Sequence, residues 1–80
     1  MKIKVRYFGQ FRDLTEKTNE VLEVKDGITV EEIRDFVRDL YSRMASKEEI
    51  IVAVNGTFVP LKQVINENDD VAFFPPVSGG

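Results

Sequence analysis

Apolar and charged side chains alternate along residues 2–8, KIKVRYF: Ile3, Val5 and Tyr7 share one parity, and Lys2, Lys4 and Arg6 the other. A period of two places the sets on opposite faces of an extended chain, so the spacing predicts a half-buried strand. Phe8 has the parity of the charged face and reads either as past the strand end or as an outward aromatic. In residues 9–17, GQFRDLTEK, Phe11 and Leu14 at i, i+3 allow a short helical turn. Residues 20–25, EVLEVK, predict a second strand with Leu22 and Val24 inward.

The pattern then changes period. Thr29 and Glu32 have the spacing of a capping box, with Thr29 at the N-cap and Glu32 three residues on. Ile28 and Ile33 fall where a hydrophobic staple would close over that cap. Ile33, Phe36, Val37, Leu40, Tyr41 and Met44 follow at helical spacing as one apolar stripe, predicted to face the core. The opposite face carries Glu31, Arg34, Asp35, Arg38, Asp39 and Arg43, predicted to be solvated. Its Glu31–Arg34 and Asp39–Arg43 spacings permit pairs worth roughly 0.2–0.5 kcal/mol each.

Residues 50–55, IIVAVN, are apolar at both parities, as a central strand would be. Asn55-Gly56 signals a type I′ turn into a return strand, TFV, which Pro60 ends or confines to an edge. NENDD at 66–70 reads as a turn and VAFF at 71–74 as the last strand. Strand, strand, helix, strand, short strand, strand is an α+β order. It suits a mixed sheet of about five strands packed on one main helix, the ubiquitin-like β-grasp. A split βαβ fold would need a second long helix, which residues 60–70 do not supply. The expected organisation is a β-grasp domain over 1–74 and an extended tail over 75–80.

Composition narrows the chemistry. The 80 residues include neither Cys nor His, and the net charge is −3. That excludes disulfides, thiolate and imidazole catalysis and nearly all zinc sites, and it argues against nucleic acid as a partner. No metal or bound cofactor is expected. No apolar run approaches the roughly 20 residues of a membrane span, and no signal stretch opens the chain, so a cytoplasmic protein with no membrane partner is expected. The charge is uneven: Lys2, Lys4, Arg6 and Arg12 precede the first acid, Asp13, while Glu67, Asp69 and Asp70 follow the last base, Lys62. Any covalent chemistry then falls to a carboxylate, a lysine or a chain terminus.

The ending, PPVSGG, bears on that choice. A Gly-Gly end arises by chance in roughly 0.5% of chains, and a frayed terminus would carry one without consequence. Here, however, Pro75 and Pro76 stop the last strand and stiffen the exit. The six residues after Phe74 reach roughly 20 Å when extended, and only glycine threads a channel too narrow for a Cβ. A terminal carboxylate becomes reactive when it attacks the α-phosphate of ATP to give an acyl-adenylate, from which a sulfur or amine nucleophile displaces AMP. No Walker-type phosphate cradle is present, so the activating site is expected on a partner.

Phe74 faces away from the helix if Val71 and Phe73 face it; Phe8 shares the outward parity, and Phe58 sits on the short return strand. Two readings are open: a minor aromatic cluster under a loop, or an exposed interface patch near the root of the tail. Arg12 is either an ordinary surface residue or an anion contact to a partner. Glu48-Glu49 and Asp69-Asp70 read as loop or solvated carboxylates, and Lys2, Lys4 and Arg6 as a solvated sheet face.

KVRYFGQFRDLT, VAVNGTFV and above all NDDVAFFPPVSGG resemble the MoaD/ThiS family of ubiquitin-like sulfur carriers, in its MoaD branch, the small subunits of molybdopterin synthase. The resemblance implies that Gly80 bears first an adenylate made from ATP and then a thiocarboxylate. It implies that Gly79 lets the tail thread, with Pro75 and Pro76 as its stiff root, and that Phe8, Arg12, Phe58 and Phe74 face partners. Those partners would be an adenylating, E1-like enzyme of the MoeB type, a sulfurtransferase, and the large synthase subunit of the MoaE type, in a heterotetramer of two large and two small subunits. Sulfur would pass to precursor Z, a cyclic pyranopterin monophosphate, to form the dithiolene; the small subunit would not be a catalyst on its own. Alternatives keep the carrier and change its destination, to thiamin, tRNA, a tungsten cofactor or protein lysines. A further one is a plain interaction module whose Gly-Gly is incidental.

Overall fold

The computed structural model describes residues 1–44 and 49–76. The alternating N-terminal stretch forms β1 (Lys2–Tyr7), and a six-residue helix α1 (Gln10–Thr15) follows. β2 (Asn19–Glu23), α2 (Val30–Leu40), β3 (Ile51–Val54), β4 (Thr57–Phe58) and β5 (Asp70–Phe74) complete the chain. The strands make one five-stranded sheet in the order β2-β1-β5-β3-β4. β1 pairs antiparallel with β2 and parallel with β5, while β3 pairs antiparallel with both β4 and β5. This is the expected β-grasp: two hairpins joined through the parallel β1–β5 pair, with α2 crossing between them.

Local chemistry explains the boundaries. Asn55 and Gly56 both have positive φ, as a type I′ turn requires. The Asn55 N–H donates to the Asp70 carbonyl at 2.8 Å, and the Asp70 N–H returns a bond to Asn55 Oδ1 at 2.9 Å. Asp69 accepts from the Asn55 side chain and from the Asn66 backbone, so the acidic turn clamps the hairpin instead of sitting free in solvent. At α2 the Thr29–Glu32 capping box is complete. The chain after β4 supplies the remaining acceptors: Val30 N–H donates to the Gln63 carbonyl and Glu31 N–H to the Leu61 carbonyl, both at 2.9 Å. The predicted return strand over 57–59 is therefore shorter, ending at Phe58, because Pro60 has no N–H and residues 61–65 turn to cover the helix start.

The core lies between one sheet face and α2. Ile3, Val5, Tyr7, Leu22, Val24, Val52, Val54, Val71 and Phe73 come from the sheet side, and Ile28, Val30, Ile33 and Val37 from the helix and its start. Two expectations for the helix need correction. Phe36 and Leu40 are 39% and 50% exposed, because the narrow sheet covers the line through Val30, Ile33 and Val37 and leaves that flank uncovered. Arg34 lies one turn beyond Val30 on the same side and is correspondingly drawn in, its side chain only 11% exposed; its expected pairing with Glu31 is present at 3.9 Å. The helix also ends at Leu40, so Tyr41, Arg43 and Met44 follow it, though Met44 is still buried.

Tyr41 is the C-cap of α2, and its hydroxyl joins a cluster around Glu20. The Tyr7 hydroxyl donates to Glu20 Oε2 at 2.6 Å, the Tyr41 hydroxyl donates to the same oxygen, and Lys17 Nζ donates to Glu20 Oε1 at 3.1 Å. The two tyrosine rings meet edge to face at 5.9 Å. Burial alone would push the Glu20 carboxyl up, but the Tyr41 and Tyr7 hydroxyls and the Lys17 ammonium together hold it below the usual carboxylate range. Burial, then Glu20, drive the Tyr7 hydroxyl strongly up, so it remains a donor.

A carboxyl with a lowered folded pKa stabilises above its ordinary value, near 4.5, and that contribution is lost as pH falls through the folded value. Glu20→Gln is accordingly expected to lower unfolding free energy at pH 7 by about 2 kcal/mol, with the gap to the parent protein unchanged down to the ordinary carboxyl value near 4.5 and narrowing only below it. Chemical denaturation at pH 7 and at acid pH checks this; an equal gap at both would refute it.

Candidate functional site

The outward parity of β5 builds the site. Val71 and Phe73 are fully buried under α2, so Ala72 and Phe74 point to the opposite face. Phe74 pairs across the ladder with Ile51 of β3, and Phe58 of β4 lies opposite Ala53. At the other side, the Phe8 N–H donates to the Phe73 carbonyl at 3.1 Å, which carries Phe8 one step past the end of β1 and beside Phe74.

The result is one aromatic cluster drawn from three separate stretches of chain. Phe8 and Phe74 stack with ring centroids 4.6 Å apart and planes 10° off parallel. Phe58, 69% exposed, meets the Phe74 ring edge-on at 6.4 Å. With Gly9, Ile51, Pro75 and Pro76 these rings line an open apolar cleft of about 440 Å³. Phe8, Phe58 and Phe74 thus come together near the surface, Phe58 exposed and Phe8 and Phe74 half-buried.

Two guanidinium groups edge it. Arg12 Nε donates to the Tyr7 carbonyl at 3.1 Å, which sets Arg12 Cζ 5.4 Å from the Phe8 ring centroid. Arg6 Cζ lies 5.3 Å from the same centroid, and Arg6 grips Asp70 through both carboxylate oxygens, at 3.0 and 2.8 Å. Arg6 is therefore not merely part of a solvated sheet face: its charge is matched by Asp70. Among the described residues no carboxylate lies within ion-pair distance of Arg12. The patch accordingly presents apolar area beside one uncompensated cation, a composition suited to a protein interface.

Pro75 is half-buried and Pro76 exposed, both lining the cleft beside the aromatic cluster. Gly79 and Gly80 lie outside the described residues. Sequence reasoning missed Ile51, Gly9 and Arg6 as parts of this surface. The outward parity of Ile51 relative to Val52 was the available signal for the first. Among the described residues no group of three or more acidic side chains could hold a metal ion, and no helix is long and apolar enough to cross a membrane.

Residues 5–80 match the ThiS family, a match that runs through the tail to the terminal glycine. The chain belongs to the ThiS family. It is 38% identical over 81 residues to the molybdopterin synthase sulfur carrier subunit of Escherichia coli, covering 98% of this chain and 99% of that one. Among solved structures, this ThiS-family chain superposes with a TM-score of 0.83 on a Pyrococcus furiosus protein provisionally described as molybdopterin converting factor subunit 1. Those two are 27% identical, over 96% of this chain and 99% of the other. The fold is shared with a chain of the Helicobacter pylori complex between subunits 1 and 2 of molybdopterin-converting factor. There the TM-score is 0.65 at 24% identity, and both chains are covered completely.

Proposed function

We infer that this chain is the sulfur carrier subunit of a molybdopterin synthase. The observation that carries the reading is its full-length kinship with the Escherichia coli carrier subunit, in a chain whose exposed aromatic patch sits at the root of a Pro-Pro…Gly-Gly tail. The Gly80 carboxylate attacks the α-phosphate of ATP on an adenylating, MoeB-type enzyme, releasing pyrophosphate. Sulfide released by a sulfurtransferase then attacks the acyl carbon, displaces AMP and leaves a thiocarboxylate. On this reading the adenylate and the thiocarboxylate are the activated states of the chain, and turnover belongs to the complex it joins.

In the synthase, the body docks on the large, MoaE-type subunit through Phe8, Phe58 and Phe74 with Arg12 at the rim; that subunits 1 and 2 of the Helicobacter pylori molybdopterin-converting factor form a complex supports a large-subunit partner. Gly79 carries the backbone through a narrow channel, and the thiocarboxylate gives up its sulfur to the pterin substrate, precursor Z. Two carriers and two large subunits form the expected heterotetramer. The reading sets the carrier in the cytoplasm, where ATP is available to activate it.

Incubating the chain with ATP, an activating enzyme and a sulfur donor is expected to raise its intact mass by the difference between one sulfur and one oxygen atom. An unchanged mass beside a control carrier that does load would overturn the proposal, and lysine-linked conjugates in place of sulfur would point to a protein modifier.

A further inference from the structure

We propose that Gly9 is a positioning residue for the tail: its missing side chain is the seat against which Pro75 rests, and that contact aims the chain end. The inference rests on the carrier reading above for its consequence, but its geometry stands by itself. A Cβ built on Gly9 would lie 3.0 Å from Pro75 Cγ and 3.3 Å from Cδ, inside ordinary contact distance. Gly9 also has φ 57° and ψ −139°, a backbone conformation open to glycine.

The body side of this contact does not give easily. Phe8 and Gly9 are pinned on the body by three backbone bonds of 3.1 Å: Phe8 N–H to the Phe73 carbonyl, Phe11 N–H to the Phe8 carbonyl, and Arg12 N–H to the Gly9 carbonyl. Pro75 follows Phe74, which is held by its stack on Phe8, and the proline ring fixes its own φ. If a side chain is added at residue 9, it is Pro75 that must turn aside, since the body side is held by those three bonds. Pro75 is where it pivots, and the five residues beyond reach roughly 17 Å when extended, so turning the exit by about 20° sweeps the end by roughly 6 Å. A carboxylate that must meet a bound nucleotide while the body stays docked is sensitive to errors far smaller than that, since even 1 Å of misplacement can slow a reaction about 10²-fold.

The seat thus acts on delivery, and a double-mutant cycle isolates that effect. At saturating activating enzyme, where a loss of affinity is overcome, Gly9→Ala is expected to slow thiocarboxylate formation on the order of 10²-fold. In a Pro75→Ala background the same change should slow the reaction less than about threefold, because the ring atoms it strikes are gone. Strain confined to the Gly9 backbone would instead slow both backgrounds equally, and that result overturns the proposal, as does an unchanged rate in Gly9→Ala.

A readout independent of sulfur chemistry keeps the test separate from the carrier reading. Nuclear Overhauser contacts between the Gly9 α-protons and the Pro75 ring are expected in the parent protein, and their absence overturns the seat even if Gly9→Ala fails to fold. Parent protein that shows these contacts yet never gains sulfur would sink the carrier reading and leave the seat standing.

Discussion

Deleting Gly80 is expected to abolish sulfur loading while leaving the melting temperature within about 1 °C of the parent protein. No described residue after Phe73 belongs to the buried core, and a glycine has no side chain to contribute to it. The deletion withdraws the carboxylate by one residue, roughly 3.5 Å, from a position fixed by how the body docks. That is several times the misplacement that already slows a reaction about 10²-fold, so no mass gain should be detectable on the time scale at which the full chain loads completely. Adding a single alanine after Gly80 should have the same effect for the opposite reason, pushing the carboxylate past the nucleotide and putting a Cβ where the channel takes glycine. Intact mass spectrometry with a parallel thermal melt decides it: full loading of either variant would show that the terminal carboxylate is not the group activated.

The architecture was legible because each element carried its own local signal. The period-two alternation of β1, the Thr29–Glu32 capping box and the Asn55-Gly56 turn all depend on residues close together in sequence, and all three formed as expected. What local pattern cannot carry is which part of a stripe its partner covers. Phe36 and Leu40 have the same helical spacing as Ile33 and Val37, but only the width of the sheet decides that the first pair stays exposed. Glu20 was hidden for a related reason. A lone glutamate on a strand reads as solvated until Tyr7, Lys17 and Tyr41, up to 21 residues away, are brought around it.

The site was legible in parts. Parity put Phe8 and Phe74 on the outward side, but their stacking depends on the parallel β1–β5 pairing, a contact across more than 60 residues that no short motif encodes. The Gly9 seat left no trace in the pattern at all, because a glycine after a strand reads simply as a turn; its meaning appears only when Pro75 lands beside it.

Phe73 and Phe74 are neighbours in sequence with opposite fates, and replacing each by alanine is expected to separate stability from function. Phe73 is fully buried and stacks on Tyr7 at 5.8 Å. Phe73→Ala should therefore lower stability by about 3–5 kcal/mol, a large share of what a domain of this size has, and drop the melting temperature by roughly 15–30 °C. Phe74 contributes mainly its stack on Phe8 and the edge contact with Phe58, so Phe74→Ala should lower stability by only about 1 kcal/mol. At the proposed docking face for a synthase large subunit the order is expected to reverse. Phe74 is the central ring of the cluster, and its loss there should weaken binding by about 2 kcal/mol or more, roughly 30-fold, with the folded state intact. Thermal melts and calorimetric titration against the large subunit measure the two effects separately. If Phe74→Ala kept the parent affinity, the aromatic patch would not be the docking face. If it melted as low as Phe73→Ala, the patch would be core after all, because burial of the outward ring is the one property that would make the two neighbours equivalent.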